Sequence, residues 1–303
     1  MIIPGMPLMM GRKLRIPWDI SGAVYNGKSF YVGGQVSNPR DIIIRYSGDT
    51  TLNMQILDAG GYLREYSMTP DHSGAGAGGM GKGDVTTCSY LGSATLTDFG
   101  TNLGGLAWAD NTARIFIAID ITNDRARRNN NSRTYRTLQP GAYSYDQTAA
   151  LSSPNGNGSA IHLASLGGGN ARMYLTNGSG VSAYVYQHDC TNGFQLSGAG
   201  DDLALSKTLN VGATTGNNVL AIRLSPDGSK MYLLGYDNDT VYQFDLNIPY
   251  EIDSAAYNGV SFYVGSQVSL PVGLEFSGDG REMYVLGGLS GTGEKTVFQY
   301  NLA

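Results

Sequence analysis

The sequence predicts an all-β fold, a closed β-propeller of five four-stranded antiparallel blades, in which the N-terminal strand completes the C-terminal blade. Three observations lead to this prediction. The 303-residue chain contains 43 glycines and 20 tyrosines but only 15% charged residues, a composition that suits short strands joined by tight turns. A strand unit recurs along the chain. The last copy of that unit breaks off at the C-terminus, and its continuation stands at the N-terminus.

Two copies of one 24-residue segment lie near opposite ends of the chain. Residues 16–39 read IPWDISGAVYNGKSFYVGGQVSNP, and residues 248–271 read IPYEIDSAAYNGVSFYVGSQVSLP. Sixteen of these 24 positions are identical. Internal repetition of this kind predicts an array of equivalent structural units.

The segments beside these copies predict that the array closes into a ring. Residues 224–247, LSPDGSKMYLLGYDNDTVYQFDLN, run directly into the second copy, whereas the related FSGDGREMYVLGGLSGTGEKTVFQYNLA ends the sequence at 303. The missing continuation, IPWDI, stands at 16–20. A strand supplied from the other end of the chain would remove an unpaired sheet edge. We therefore expect residues 29–35 to pair with residues 297–302.

Five copies of the strand pattern can be found along the chain. The inner strands and their turns read IIIRYSGD, GLAWADN, AIHLASLGGG, AIRLSPDG and GLEFSGDG, and the second strands read MQIL, RIFIAI, MYLT, MYLL and MYVL. The third strands read LREYSM, RTYRTL (133–138), SAYVYQ, VYQFDL and VFQYNL, and residues 261–267 form the fourth strand of the complete unit. A sixth blade would have to lie hidden in an irregular stretch.

The repeat unit SPDGSKMYLLGYDNDTVYQFDL resembles the YVTN-type propeller repeats, especially the SPDG-x-x-M-Y…DTVYQ form common in bacterial and bacteriophage proteins. The resemblance is strong over 217–303 together with 14–39, and it extends to the middle third only in outline. It implies the propeller fold. Propellers host many unrelated activities, so the resemblance specifies the function poorly.

Composition and charge narrow the classes of function. A net charge of −5 and a pI near 5.1 argue against a general nucleic-acid binder, and no apolar run is long enough to span a membrane. The opening MIIPGMPLMMGRK is a poor secretory signal, because its positive charges follow its apolar stretch. We expect an apolar arm at 1–13 and one propeller domain at 14–303.

No catalytic or metal-binding constellation is evident. The carboxylates on or beside predicted inner strands are Asp41, Asp110 and Glu275, which are most simply turn residues or exposed strand positions. The histidines His72, His162 and His188 stand in unrelated contexts and suit surface or channel-lining positions. Only the acidic turn at 237–239 suggests a cation, and the other blades lack its carboxylates. We expect no catalytic residues, no metal and no cofactor.

Two segments are candidates for binding a partner. The arm offers Met6, Met9, Met10, Arg12 and Lys13, an adaptable apolar stretch that could order against another subunit or remain disordered. The segment 125–136, expected in a long hairpin of the second blade, contains Arg125, Arg127, Arg128, Arg133 and Arg136. These arginines could be solvated or could dock on an acidic protein surface or an anionic glycan. The glycine-rich segment 73–84 lacks a phosphate-binding pattern and is expected to be a surface loop.

These features predict a non-enzymatic structural or interaction module. We expect a bacteriophage virion protein, in a tail, fibre or capsid-decoration position, that serves assembly or host attachment. Its partners would be other virion proteins, further copies of itself or a host-surface glycan, without membrane or nucleic acid. The first alternative is a lectin-like propeller at the cell surface or outside the cell, with sugar pockets between blades lined by Tyr, Trp and Asn. The second is a propeller enzyme that hydrolyses glycosides or lactones.

Overall fold

The described part of the protein is built almost entirely from β-strands. The computed structural model describes residues 17–46, 52–71, 82–109, 115–130, 141–151, 158–177, 182–190, 194–196, 202–203, 205–288, 291 and 293–302. In this part there is one short helix, Gly212–Thr215, and two 3-10 turns, Thr97–Phe99 and Ile252–Ser254. No helix here is long and apolar enough to span a membrane.

Five antiparallel sheets of four strands form the blades of a β-propeller, as predicted. The innermost strands are β2 (Pro39–Tyr46), β6 (Leu103–Trp108), β11 (Gly158–Gly167), β16 (Val219–Leu224) and β20 (Pro271–Phe276). The second strands are β3 (Leu52–Asp58), β7 (Ile115–Asp120), β12 (Asn170–Asn177), β17 (Lys230–Gly235) and β21 (Glu282–Gly287). The inner strands define blades 1 to 5 in this order.

The third and outer strands complete each blade. The third strands are β4 (Tyr62–Asp71), β8 (Arg125–Asn130), β13 (Tyr184–Cys190), β18 (Thr240–Leu246) and β22 (Thr296–Asn301). The outer strands are β5 (Lys82–Thr95), β10 (Gln147–Leu151), β15 (Leu205–Asn210), β19 (Ala255–Tyr263) and, for blade 5, β1 (Val24–Tyr31). The two-residue strands β9 (Gly141–Ala142) and β14 (Asp202–Leu203) add a short parallel edge to blades 1 and 2.

The ring closes through the N-terminal strand, as predicted. Strand β1 is antiparallel to β22, with Phe30 opposite Val297 and Tyr31 opposite Thr296. The predicted strand bounds of 29–35 were wrong at the far end. Strand β1 stops at Tyr31 because the amides of Gln35 and Val36 both donate to the carbonyl of Val32, which turns the chain. The second copy does the same, so β19 ends at Tyr263 and not at 267.

The third strand of blade 2 corrects a second prediction. This strand is β8 and not residues 133–138, which lie outside the described residues. It pairs with β7 through a tight turn, with Arg125 opposite Asp120 and Asp124 in the left-handed backbone region at φ 51°. The first three arginines of the basic segment therefore lie on a strand of the blade, and the expected hairpin does not begin at Arg125.

The core consists of five apolar clusters, one between each pair of neighbouring blades. Each second strand is covered on both faces, so its alternating side chains enter two different clusters. In β21, Met283 and Val285 pack against blade 4, whereas Tyr284 and Leu286 pack against blade 1. Removing any blade would therefore expose apolar surface on both of its neighbours.

A recurring Tyr–Gln pair joins neighbouring blades. In blades 3, 4 and 5 a tyrosine of the second strand lies directly opposite a glutamine of the third strand; the pairs are Tyr174–Gln187, Tyr232–Gln243 and Tyr284–Gln299. Each pair holds the following blade at its outer strand: the segment that leads into that strand for blades 3 and 4, and the start of β5 itself for blade 5. The Gln187 side chain accepts from the amide of Ile252 (3.1 Å), Gln243 from Ile20 (3.1 Å) and Gln299 from Val85 (3.0 Å). We call these contacts the interblade clasps.

Candidate binding site in the central channel

Some backbone amides and carbonyls of the inner strands point into the channel and do not pair within their own sheet. Each of the five inner strands shows a register shift against its second strand, near the start of the inner strand. Such bulges remove backbone amides and carbonyls from the regular ladder. Buried groups of this kind must find other partners, and in this protein side chains of the channel supply several of them.

Arg223 on β16 is the hub of the channel. Its guanidinium donates to Asp41 on β2 (3.0 Å) and to Glu275 on β20 (3.1 Å). It also donates to the carbonyls of Ile42 (2.9 Å) and Ile161 (3.3 Å), on β2 and β11.

The carboxylate of Asp41 extends this network to the remaining inner strand. Its Oδ2 accepts from the amide of Leu106 on β6 (3.2 Å), and its Oδ1 accepts from the amide of Ile42 (2.9 Å). Arg223 and Asp41 together therefore connect the inner strands of all five blades. The side chains of Arg223 and Asp41 are only 6% and 2% exposed, so this ion pair is largely shielded from water.

Burial and charge act on these groups in opposite directions. Burial raises the pKa of the Asp41 and Glu275 carboxyls, and the charge of Arg223 works against that rise. Burial also acts to lower the pKa of Arg223, but Glu275 and Asp41 outweigh it and raise that pKa above its ordinary value. The guanidinium thus carries its charge between two partners, as a buried cation requires.

A cavity of about 520 Å³ opens above this network. It touches the inner strands of all five blades and lies at the end of the channel where those strands enter their hairpin turns. Aromatic and polar groups share its wall with aliphatic side chains; these groups are Trp18, Trp108, Tyr250, Phe276, Arg45, His162, Arg223 and Glu275. The volume and the mixed lining are typical of small-molecule sites.

Trp18 and Tyr250 occupy equivalent positions in the two copies of the repeat. The amide of Trp18 donates to the carbonyl of Gly280 (2.8 Å), and the amide of Tyr250 donates to that of Gly228 (2.9 Å). Each ring lies directly on its glycine: a Cβ on Gly280 would be 2.2 Å from the Trp18 ring, and one on Gly228 would be 2.5 Å from the Tyr250 ring. The glycine of the S-x-D-G turn is therefore needed both for its positive φ and for this contact.

Trp108 is fixed on the opposite side of the cavity. Its indole nitrogen donates to the side chain of Gln55 (2.8 Å), and its ring packs on Phe116 at 5.0 Å. The guanidinium of Arg45 lies 4.2 Å above the same ring, a cation–π contact. The wall here presents a cation and an indole in a fixed arrangement.

His162 on β11 is a polar group of the cavity that lies outside the network. The centroid of its ring lies 6.1 Å from that of Tyr174. The imidazole makes no hydrogen bond within the part of the chain that the structure describes. Burial lowers the pKa of His162 to about 3, with a further contribution from the charge of Arg223. The imidazole is therefore neutral at ordinary pH and can both donate and accept a hydrogen bond.

Two of the three carboxylates considered from sequence come together in the structure. Asp41 and Glu275 bind the same guanidinium, and the interpretation of them as turn or exposed strand residues was wrong, because both lie on inner strands and are only 2% and 17% exposed. Asp110 lies outside the described residues. Sequence reasoning missed Arg223, whose signal is a cation in the otherwise apolar inner strand VLAIRL.

Two of the arginines considered for partner binding are engaged in contacts within the protein. Arg128 is 3% exposed and binds Asp146 and the carbonyl of Phe194, and Arg127 forms an ion pair with the buried Asp120 (3.1 Å). These two arginines hold their own blade and its neighbour. Arg125 contacts Thr148 across the sheet. The remaining candidates lie outside the described residues; these are Met6, Met9, Met10, Arg12, Lys13, Arg133 and Arg136.

The other residues considered from sequence do not form a site together. His188 is buried in blade 3 beside Leu203, and His72 and 73–81 of the glycine-rich segment lie outside the described residues. Cys88 and Cys190 are both free thiols. In the acidic turn, Asp239 accepts from the amide of Leu270 (2.9 Å). Among the described residues, no group of three or more His, Cys, Asp or Glu is placed to hold a metal ion.

The fold and site define a five-bladed β-propeller with a central-channel cavity. No protein-family model and no curated protein matches this sequence. Solved structures similar to this chain include a proposed 6-phosphogluconolactonase of Bacteroides fragilis (TM-score 0.40, 15% identity, 78% of this chain and 57% of that chain covered). A second similar structure is a protein of unknown function from Desulfotomaculum acetoxidans (TM-score 0.42, 12% identity, 79% of this chain and 59% of that chain covered). A third is a proposed 6-phosphogluconolactonase of Bacteroides uniformis (TM-score 0.45, 11% identity, 83% of this chain and 89% of that chain covered).

The similarity to these structures concerns the fold alone. This chain spans less than two thirds of the length of the first two proteins. At such identities the activity of a neighbour does not transfer to this chain.

Proposed function

We propose that this chain is a non-enzymatic binding propeller whose site is the cavity of the central channel. The observation that carries the proposal is the hub: both channel carboxylates bind Arg223 and backbone amides, while the cavity above them keeps its aromatic wall. A rigid, preformed cavity of this kind binds a ligand at little cost in ordering the protein.

The hub also argues against a hydrolase. A glycoside hydrolase needs one carboxylic acid and one carboxylate on opposite sides of the scissile bond. Asp41 and Glu275 instead both accept hydrogen bonds from one guanidinium, that of Arg223, at 3.0 and 3.1 Å. Both carboxylates are thus engaged in hydrogen bonds that connect the inner strands, which supports a structural role for them.

Activity measurements test the non-enzymatic proposal. Purified protein is incubated with p-nitrophenyl glycosides and with sugar lactones, beside the variants Asp41→Asn and Glu275→Gln. The expected result is no turnover above that of the two variants. Turnover by the original chain that both folded variants lose would contradict the proposal and assign the carboxylates to catalysis.

We further propose that this binding module belongs to a bacteriophage virion and serves host attachment or assembly. The support is the resemblance of the repeat to phage-type propeller repeats, together with a closed and rigid scaffold. Mass spectrometry of purified particles should detect the chain in stoichiometric amount. Its absence from particles, with the protein found only in the soluble fraction of the culture, would overturn the virion role and leave the binding role standing.

A further inference from the structure

Two aromatic rings in the cavity are rigid and half open. Trp18 and Tyr250 flank the inner strand of blade 4, each with one face on a turn glycine and each partly exposed toward the cavity. Their own amides are tied to the same turns. Rings fixed in this way can receive the apolar face of a ligand without loss of side-chain freedom.

The cations of the cavity wall are engaged within the protein, which favours an uncharged ligand. The guanidinium of Arg45 lies over the Trp108 ring. The cation on the channel floor, Arg223, is already held between Asp41 and Glu275 at 3.0 and 3.1 Å, so it offers no unpaired charge to an anion. His162 lines the same cavity without a hydrogen bond in the described part of the chain. A neutral imidazole pairs well with a hydroxyl group, which can donate to one ring nitrogen or accept from it.

We propose that the cavity binds an uncharged pyranose sugar, packed against Trp18 and Tyr250 and hydrogen-bonded through its hydroxyl groups to His162. This inference rests on the proposed binding role of the cavity and names its ligand class. A pyranose combines an apolar C–H face with a rim of hydroxyl groups, which matches fixed rings beside a free imidazole. The binding site lies in the central channel, in contrast to the pockets between blades that the lectin-like alternative predicted.

The protein contains its own reporter for this test. It has two tryptophans, Trp18 and Trp108, and both line the cavity. Tryptophan emission is recorded during titration with the methyl glycosides of glucose, galactose, mannose and N-acetylglucosamine. Glucuronate, glucose 6-phosphate, benzoate and cyclohexanol are titrated in parallel as acidic and non-sugar probes.

At least one neutral glycoside should shift the emission, with a dissociation constant lower than those of the acidic sugars. His162→Ala and Tyr250→Ala should each weaken that binding at least tenfold. The matched control is Tyr263→Ala, which removes a tyrosine that is 58% exposed on outer strand β19, away from the cavity. This control should bind like the original chain.

The outcomes separate the two proposals. Binding of benzoate, cyclohexanol or an acidic sugar without any neutral glycoside would overturn the sugar inference and leave the cavity as a binding site. Glycoside binding that His162→Ala and Tyr250→Ala leave unchanged would also overturn the inference, because the sugar would then bind elsewhere. If none of the eight probes changes the emission, both the inference and the binding role of the cavity fail.

Discussion

Arg223 is the residue on which the channel depends. Its side chain is almost completely buried, and it joins its own inner strand to carboxylates and carbonyls of three others, while Asp41 reaches the fifth. A buried ion network of this kind adds little net stability compared with an apolar core of the same shape, but the loss of one partner leaves a charge without compensation. The network therefore fixes how the five blades meet.

Replacing Arg223 by Met should lower the free energy of unfolding by about 3–5 kcal/mol, because two carboxyls would remain buried without their cation. Urea denaturation followed by circular dichroism measures this change. Replacing Asp41 and Glu275 by Leu in the same variant should restore much of the loss.

The control for this prediction is Arg281→Ala. Arg281 is 40% exposed and lies 3.9 Å from Asp279 at the surface, so its loss should change stability by no more than about 0.5 kcal/mol. Equal effects at Arg223 and Arg281 would show that the channel network is not the structural hub.

His162 should make the fold sensitive to acid. Its folded-state pKa lies near 3, below the ordinary value of 6.5, so the unfolded chain binds a proton first as the pH falls. The stabilisation is complete above about pH 6.5 and is lost progressively toward pH 3. At pH 5 this costs about 2 kcal/mol.

The variant His162→Gln should remove this dependence. Urea midpoints of the original chain and the variant are compared at pH 7.5 and pH 5. The original chain should lose about 2 kcal/mol more than the variant between the two values. An identical loss in both proteins would place the imidazole in water and contradict the described burial.

At the scale of the element, the turn between the first and second strands does two things in the repeat. Its glycine supplies a left-handed conformation, with φ +65° at Gly280 and +70° at Gly228. It also leaves room for an aromatic ring, Trp18 or Tyr250, from the segment that leads into the outer strand. The main chain of that segment is then fixed by Gln243 in one copy and by Gln187 in the other. Turn, ring and glutamine form one unit that joins two blades.

Gly280→Ala should destabilise the protein by at least about 2 kcal/mol, since the added methyl group meets both a positive φ and the Trp18 ring. Thermal unfolding measures the effect. Gly34→Ala is the matched control, because a Cβ there meets nothing within 4 Å and its backbone lies outside the left-handed range. Similar melting temperatures for the two variants would contradict the role given to the turn.

How much the sequence could predict differs between elements. The five-blade ring and its closure followed from the repeat, because near-identical segments carry their strands and turns with them. The ends of β1 and β19 were missed, because the turns that stop them depend on backbone bonds to Val32 and Val264 and not on a glycine or proline signal. The third strand of blade 2 was missed because the arginine-rich RARRNN lacks the apolar alternation of the other copies.

The hub lay beyond sequence reasoning for a different reason. Arg223 and Asp41 are 182 positions apart, and no local pattern marks which inner-strand side chains converge when the ring closes. In its local sequence, each carboxylate resembles an ordinary surface residue. Only the arrangement of five inner strands around one channel places them on the same guanidinium.

At the scale of the whole molecule, closure by the N-terminal strand shapes the cavity. The segment that leads into β1 supplies Trp18 to the cavity wall, and β1 then pairs with β22 along the last blade. The binding site and the final sheet therefore depend on the same stretch of chain. If β1 did not pair with β22, the edge of the last blade would be left unpaired and the cavity would lose the wall that Trp18 supplies.

A disulfide across the closing strands tests this claim most directly. Tyr31 and Thr296 lie directly opposite each other, within the Cα separation that a disulfide allows. Both are replaced by Cys after Cys88 and Cys190 are changed to Ala. The control pairs Tyr31→Cys with Asn301→Cys, five positions further along β22 and about 17 Å away.

Mass spectrometry after mild oxidation should find an internal disulfide in the monomer with the first pair and none with the control. The linked protein should also melt at a higher temperature than its reduced form. A first pair that stays reduced, or a control that links equally well, would mean that the N-terminal strand does not close the ring.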